Sequence, residues 1–443
     1  MLKRLFKLIS PARADASSKP AIIPRDQHNV SRQHISPAAL KIIKQLNEHG
    51  YEAYLVGGGV RDLLLGGHPK DFDVATNAKP EEIKRLFRSA RIIGRRFRIV
   101  HVRFGREVIE VTTFRGHHEA ERSEHGMVLR DNVYGTLQSD AIRRDFTVNA
   151  LYYSLQGFAI HDYTGGINDL QKRTLRMIGD PVERYTEDPV RMLRAVRFAA
   201  KLGFSIEPAT QKPIGQLAGL LGNIPPARLF EEVLKLFLAG SALATFRLLR
   251  EHGLAEQLFP GTEAILASGD AVALELVEQC MCNTDKRIRA GKTVTPAFIF
   301  AALLWPAQQY RERELMAHMP KGQAYNESIA EIVGEQLART AIPKRFLMPM
   351  REIWDLQHRL TQRGGQRAYR LLEHPRFRAA YDFTLLREQA GEQLDGLGQW
   401  WTQFQSADEP LRERMISVVK SPAGNSRKRR SGGSRRRKPR TES

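Results

Sequence analysis

The chain has 443 residues and only two cysteines, Cys280 and Cys282. They stand one residue apart, too close for an easy disulfide, and two are too few for a zinc site. A disulfide-stapled scaffold is therefore excluded, and the thiol content fits a reducing, cytoplasmic setting. Long apolar runs are also missing. None approaches the roughly 18–20 residues that cross a bilayer, so no transmembrane segment is expected. Acids are scarce relative to bases, 49 Asp and Glu against 69 Lys and Arg, for a net charge of +20 and a pI near 10.1. Such an excess calls for a polyanionic partner, nucleic acid first and an anionic membrane second.

What is present divides the chain. Hydrophobic residues make up 42%, an ordinary share for globular protein, and the length allows roughly two to four domains. Residues 1–35 carry no periodicity and read as a flexible N-terminus. Their first ten residues read as a frayed tail, with weak peripheral membrane contact as the alternative. Residues 36–180 mix helix and strand signals. Ser36 and Pro37 open a helix that Gly50 stops, and Phe97–Phe104 with Val108–Phe114 form a hairpin turning at Gly105 and Arg106. Residues 116–139 read as a mobile loop. This is an α+β catalytic head. Everything after it is helical: a neck at 181–270 and a body at 271–417. Asp188 as N-cap, Pro189 at N1 and Gly203 as stop delimit one clear neck helix. Residues 418–443 form a Ser, Gly, Arg and Lys tail that is expected to be disordered. Nine bases and one acid lie between residues 427 and 443, so removing this +8 from +20 still leaves +12 on the rest.

The chemistry centres on Leu55–Ala78. A short apolar strand feeds Gly57, Gly58 and Gly59, and Asp71-Phe72-Asp73 follows on a second strand. Glycine lets backbone N–H groups approach a phosphate, and carboxylates at i and i+2 of a strand point the same way. Asp71 and Asp73 can therefore share divalent metal, with Glu110 on a neighbouring strand as the candidate third acid. Metal held by few carboxylates suits Mg²⁺, which completes its shell with substrate oxygens. Arg61 can neutralise a triphosphate, and Asp62 orients it. Arg144, Asp145 and Asn149 can together hold ribose hydroxyls and phosphate. In the neck, Asp188 and Arg191 can present hydrogen bonds to the edge of a base, with Arg194 and Arg197 continuing the basic stripe. Further on, Arg alternates with aromatics from Arg345 to Tyr381, a pattern that tracks phosphates and stacks bases.

Leu55–Asp62, Asp71–Ala78, Arg143–Tyr153 and Glu187–Phe204, in this order, resemble the class II nucleotidyltransferases of the DNA polymerase β superfamily. That group holds the bacterial poly(A) polymerases and the CCA-adding tRNA nucleotidyltransferases. Ile92–Val102, Thr113–His118, Ile224–Glu232 and Leu372–Tyr381 look like the bacterial poly(A) polymerase branch. The resemblance implies a polymerase-β-like head with Asp71 and Asp73 as metal-binding catalytic carboxylates and Asp145 at the active site. It also implies nucleotide contacts at Gly58, Arg61, Arg144, Arg191 and Arg194. The implied activity is transfer of AMP from ATP to RNA 3′ ends with Mg²⁺ or Mn²⁺, serving mRNA processing and decay beside RNA-decay or RNA-chaperone proteins. CCA addition to tRNA, or RNA binding without catalysis, are the rivals.

Overall fold

The structure is a computed structural model. It describes residues 19–94, 98–116, 121–122, 128–130 and 133–419. The expected membrane contact at the start of the chain, the basic tail from residue 420, Arg95-Arg96-Phe97 and residues 117–120, 123–127 and 131–132 of the 116–139 loop lie outside the described residues, while the described part of that loop holds two short strands and the start of a helix rather than loop alone. Two compact units divide at Lys344/Arg345.

The first unit is built on an eight-stranded mixed sheet. Its strands are β1 (Ala21–Ile23), β2 (Ala53–Val56), β3 (Asp73–Thr76), β4 (Ala90–Ile93), β5 (Ile99–Phe104) and β6 (Glu107–Thr113). After a small hairpin of β7 (Glu121–Arg122) and β8 (Val128–Arg130), β9 (Leu151–Ser154) and β10 (Ile160–Asp162) complete it. The order is β1-β10-β9-β2-β3-β6-β5-β4, and only the β3–β6 pairing is parallel. The β5–β6 hairpin turns at Gly105, whose φ of 59° suits glycine.

Helix α1 (Pro37–Glu48) starts where Ser36 Oγ accepts from the N–H groups of Ala38 and Ala39, at 3.1 and 3.4 Å. It buries Ile42, Ile43 and Leu46, the i, i+1, i+4 stripe of a core-facing helix. Next come α2 (Gly58–Leu64), α3 (Pro80–Leu86) and α4 (Leu137–Arg143). Leu137 and Ala141 of α4 pack with Val56, Ala75, Phe114 and Tyr152, pinning α4 to the sheet. Beyond α5 (Gly166–Gln171), the helices α6 (Pro181–Glu187) and α7 (Val190–Leu202) open a stretch that is helical except for the two-residue strand Ser205–Ile206, which pairs in parallel with Thr174–Leu175 and corrects the all-helical expectation.

Residues 21–23 correct the reading of a wholly flexible N-terminus. They form β1 and pair in register with Asp162, His161 and Ile160. A three-residue strand is too short to show alternation in sequence; the exposed edge of β10 supplies what its own pattern lacks. Asp188 is the second correction. Helix α6, capped by the Asp180 side chain, runs to Glu187 and makes Asp188 its C-cap, so Pro189 becomes the N-cap of α7.

The second unit holds α16 (Lys344–Leu360, the helix at whose first residue the division falls), α17 (Gln366–Leu372), α18 (Phe377–Gln389), α19 (Leu397–Ser406) and α20 (Glu409–Val418). It follows α8 (Pro208–Leu217), α9 (Pro226–Phe237), α10 (Ala242–Glu251), α11 (Leu254–Leu258), α12 (Pro260–Ala267), α13 (Ala271–Arg289), α14 (Pro296–Leu315) and α15 (Lys321–Arg339) of the first. The unit's core gathers Leu356, Leu360, Phe377, Tyr381, Trp401 and Phe404. Trp401 satisfies its buried indole by donating to the Leu360 carbonyl at 3.0 Å. Among the described residues no helix is long and apolar enough to cross a membrane.

Candidate active site

The site forms where β2 ends. Gly57 leaves the strand at φ 77° and ψ −139°, a backbone that side-chain-bearing residues rarely adopt, and α2 begins at the next residue. A Cβ at Gly57 would lie 3.6 Å from Arg144 Nη1 and 3.8 Å from Asp73 Oδ2. Gly57 therefore marks the centre of the site. Gly59 works differently: a Cβ there would stand 3.4 Å from both the Asp71 carbonyl and the Phe72 ring. Its lack of a side chain lets α2 lie against the segment that carries the two aspartates. Gly57→Val is expected to cost about 1–3 kcal/mol of stability through its φ. AMP transfer should fall further than that, since the side chain enters between Asp73 and Arg144. Denaturant titration alongside single-turnover transfer measures both losses.

Asp73 opens β3, whereas Asp71 lies ahead of the strand in the connecting segment. The alternation survives, because Phe72 between them is buried in the core. Parallel pairing sets Asp73 directly beside Glu110, and antiparallel pairing sets it beside Val56. Paired residues share a face, so Asp73 and Glu110 point the same way. The Asp73 carboxyl is pushed up to about 6, chiefly by burial, then by the charge of Glu110, with Arg144 opposing and Asp71 adding a smaller push. A carboxyl raised by burial and by neighbouring acids is a fit place for a cation. Among the described residues no set of three His, Cys, Asp or Glu side chains closes into a cage. Glu110 is also 3.4 Å from His101 Nε2, without hydrogen-bond geometry.

Arg144 caps the C-terminal end of α4 and is braced by two partners. It donates to Tyr152 Oη at 2.8 Å and to Asp140 Oδ2 at 3.0 Å, while Tyr152 donates to the same Asp140 oxygen at 2.6 Å. The remaining nitrogen, Nη1, is the one nearest Gly57. This brace holds a positive charge against the phosphate cradle.

Arg61 lies deeper than its sequence position implied. Only 2% exposed, it donates to Asp62 Oδ1 through Nε at 2.8 Å and Nη2 at 2.6 Å, and to Asn149 Oδ1 through Nη1 at 2.6 Å. Its fork is spent inside the protein, and Asp62 does orient it. Asn149 donates on to Asp145 Oδ1 at 3.2 Å, and Asp145 Oδ2 accepts from Arg194 Nε at 2.7 Å, with Arg194 Nη2 at 2.6 Å completing the ion pair. Burial alone would raise the Asp145 carboxyl; Arg194, Asn149 and the Phe146 N–H outweigh it and hold it at about 2. The sequence suggested that Asp145 and Asn149 meet on a helix face. They do meet, but across an extended turn and the short 3₁₀ segment Thr147–Asn149.

The base-reading pair is separated in this structure. Arg191 Nη1 donates to the Arg184 carbonyl at 2.7 Å and to Glu187 Oε2 at 2.9 Å. Asp188 Oδ2 instead receives Arg228 Nη2 at 2.7 Å. Arg184 donates to the carbonyls of Arg143 and Arg144 at 2.6 and 2.9 Å, tying α6 to the end of α4. Phe198 lies under the guanidinium groups of Arg61, Arg194 and Arg197, at 5.2, 5.2 and 4.5 Å. Sequence reasoning passed over Arg184, Arg228, Tyr152, Asp140 and Phe198. Spacing signalled none of these but the Arg144/Asp140 pair, four residues apart on a helix.

Three family models match the chain. They describe a poly A polymerase head domain over residues 53–176, a probable RNA and SrmB-binding site of polymerase A over 203–266, and a polymerase A arginine-rich C-terminus over 317–440. The chain is 49% identical to poly(A) polymerase I of Salmonella typhimurium over 438 residues, covering 95% of this chain and 93% of that one. Its identity to the CCA-adding enzyme of Lactobacillus johnsonii is 40% over 227 residues, 51% of this chain and 55% of that one. Among solved structures, the Bacillus stearothermophilus CCA-adding enzyme in complex with CTP is similar at a TM-score of 0.56 and 27% identity, covering 86% of this chain and 83% of that one.

Proposed function

Since this chain belongs to the poly(A) polymerase I family, we propose that it is a polynucleotide adenylyltransferase that adds AMP from ATP to RNA 3′ ends without a template. The observation that carries the chemistry is Asp73, raised by burial and neighbouring acids and set against the Gly57 cradle and Arg144. The choice of polyadenylation over CCA addition rests on likeness along almost the whole chain to the one group and along half of it to the other.

In this reading the RNA 3′-oxygen attacks the α-phosphorus of ATP, the bond to the bridging oxygen breaks, and pyrophosphate leaves. Asp71 and Asp73 hold the metal, with Glu110 in reach as a third acid. Bound there, Mg²⁺ or Mn²⁺ would supply Lewis-acid stabilisation of the attacking oxygen and of the charge on the pyrophosphate. Gly57 and Gly58 give the phosphates close access to backbone N–H groups, and Arg144 Nη1 faces their charge. Asp145, ionised and fixed by Arg194, accepts from the ribose, while Arg61 and Asn149 keep it in place. Asp188 and Arg191 read the adenine edge. To do so they exchange their present partners, Arg228 and Glu187, for the base. The basic helices and tail hold the RNA backbone. The biological reading is tailing of transcripts for decay in the cytoplasm, beside RNA-decay or RNA-chaperone proteins.

One assay decides the substrate. The protein is given ATP or CTP, with either generic RNA or tRNA lacking its CCA end. Long A tracts on generic RNA are expected. Efficient CTP incorporation into tRNA without A tracts would overturn the reading.

A further inference from the structure

The second unit carries a concentration of unneutralised charge that the chemistry above does not use. From Leu356 to Leu372 there is no acid, while Arg359, Arg363, Arg367 and Arg370 all fall in this span. Three other arginines of the unit are neutralised, Arg376 by Glu352, Arg378 by Asp382 and Arg387 by Glu392. These four differ. Among the described residues none of them is in an ion pair, and Arg367 reaches only the Gln362 amide oxygen, at 3.3 Å. Arg359, Arg367 and Arg370 are exposed.

The same span contains the turn Arg363-Gly364-Gly365. Gly365 adopts φ 59°, and added Cβ atoms at Gly364 and Gly365 would meet nothing within 4 Å, so the backbone here is open to an approaching chain. Arg363 lies over the ring of Trp400 at 5.5 Å, and Trp400 stacks on Phe404 at 4.7 Å with 13° between the planes. Phe404 is fully buried, Trp400 is half-buried and Arg363 is partly exposed. The result is a column that runs from the core to the surface and ends in a planar cation. Arg363 Nε is buried without a hydrogen-bond partner, an unmet donor at the edge of that column.

Nucleobases stack on guanidinium planes as well as on aromatic rings, and phosphates satisfy arginine donors. We infer that the Arg363-Gly364-Gly365 turn, backed by Trp400 and Phe404, is a clamp for single-stranded RNA on the second unit. One base stacks on the Arg363–Trp400 column, and phosphates on either side meet Arg359, Arg367 and Arg370. This rests on the reading that RNA is the substrate. It adds a holding point that grips the strand without taking part in transfer. A duplex is excluded from the column, because its bases are already stacked on one another.

The test uses the full chain in EDTA, with labelled oligo(A) and fluorescence anisotropy across a salt series. Arg359→Ala with Arg367→Ala should weaken oligo(A) binding by about tenfold, and the slope of log K against log salt should become shallower by about 1.4, for two lost phosphate contacts at about 0.7 each. Arg363→Lys keeps the charge and loses the plane. It should leave the salt slope unchanged while removing the preference for single-stranded over duplex RNA. At saturating RNA, kcat and the KM for ATP should match the parent in both proteins. Unchanged affinity and slope in the double variant overturn the inference, as does Arg363→Lys retaining the single-strand preference. A fall in kcat at saturating RNA with unchanged RNA affinity also overturns it, since it would mark a structural role. A chain that binds oligo(A) through these residues yet transfers no AMP would defeat the proposed activity and leave the clamp standing.

Discussion

Asp73→Asn should abolish AMP transfer, by at least about 10³-fold, while making the metal-free protein more stable at alkaline pH. The first effect follows from removing a metal-holding carboxylate, since each tenfold loss is 1.36 kcal/mol of barrier and metal stabilisation of a developing charge amounts to several. The second follows from linkage. The Asp73 carboxyl rises from 3.8 to about 6 on folding, because it is buried and faces Glu110. Between those values the folded state binds the proton more tightly than the unfolded state does. Stability from this group is therefore fully present below pH 4 and is lost as pH rises through 6. Above 6 the ionised side chain is a cost that asparagine does not carry. Melting in EDTA should place the variant above the parent at pH 8 and level with it at pH 4. The parent's activity at limiting metal should fall as pH drops through 6, where proton and cation compete for one carboxylate. Transfer surviving in the variant, or a lower melting point at pH 8, would sink the assignment.

Arg194→Met should be the most destabilising single change near the site. It leaves Asp145 enclosed without its cation, which in the parent donates one hydrogen bond from Nε at 2.7 Å and brings Nη2 to 2.6 Å in the ion pair. Breaking one side of a buried pair costs about 3–5 kcal/mol, and the one-third exposure of the Arg194 side chain puts the expectation at about 3. In the parent, Asp145 at about 2 stabilises the fold above its unfolded pKa of 3.8, and that contribution is lost as pH falls through 2. Without Arg194, burial is opposed by Asn149, a backbone N–H and the more distant charges of Arg184 and Arg197, so the carboxyl rises and the loss moves to higher pH. Adding Asp145→Asn should restore part of the stability but not the KM for ATP. Urea titration across the four proteins of the cycle gives the coupling. Strict additivity would show that the pair does not act as one.

The head was legible where local rules suffice. Ser36 and Pro37 announced α1, Gly105 announced the hairpin, and the glycine run before two aspartates announced the site. The Asp73–Glu110 neighbourhood was foreseen from strands alone, and the parallel register supplies it. What was missed is long-range. Arg61 read as a triphosphate contact held by Asp62, and nothing near it in sequence reveals its second partner Asn149, 88 residues away. Arg228 meets Asp188 across 40 residues, and Arg184 meets the Arg143 carbonyl across 41. Such partners are chosen by how helices pack onto the sheet, a property of the fold that spacing does not encode. Strand β1 was missed for the opposite reason, because three residues cannot display a period.

The placing of β3 has a mechanical corollary. It is bonded on both sides, to β2 in one direction and β6 in the other. Asp73 cannot slip along its strand without breaking two ladders at once, so the catalytic carboxylate moves only if the sheet does. Each round of addition lengthens the RNA by one nucleotide, and the new 3′ end must then reappear at the same place. With the anvil fixed, the workpiece must travel. Successive additions are thus a problem of feeding the strand past a stationary point.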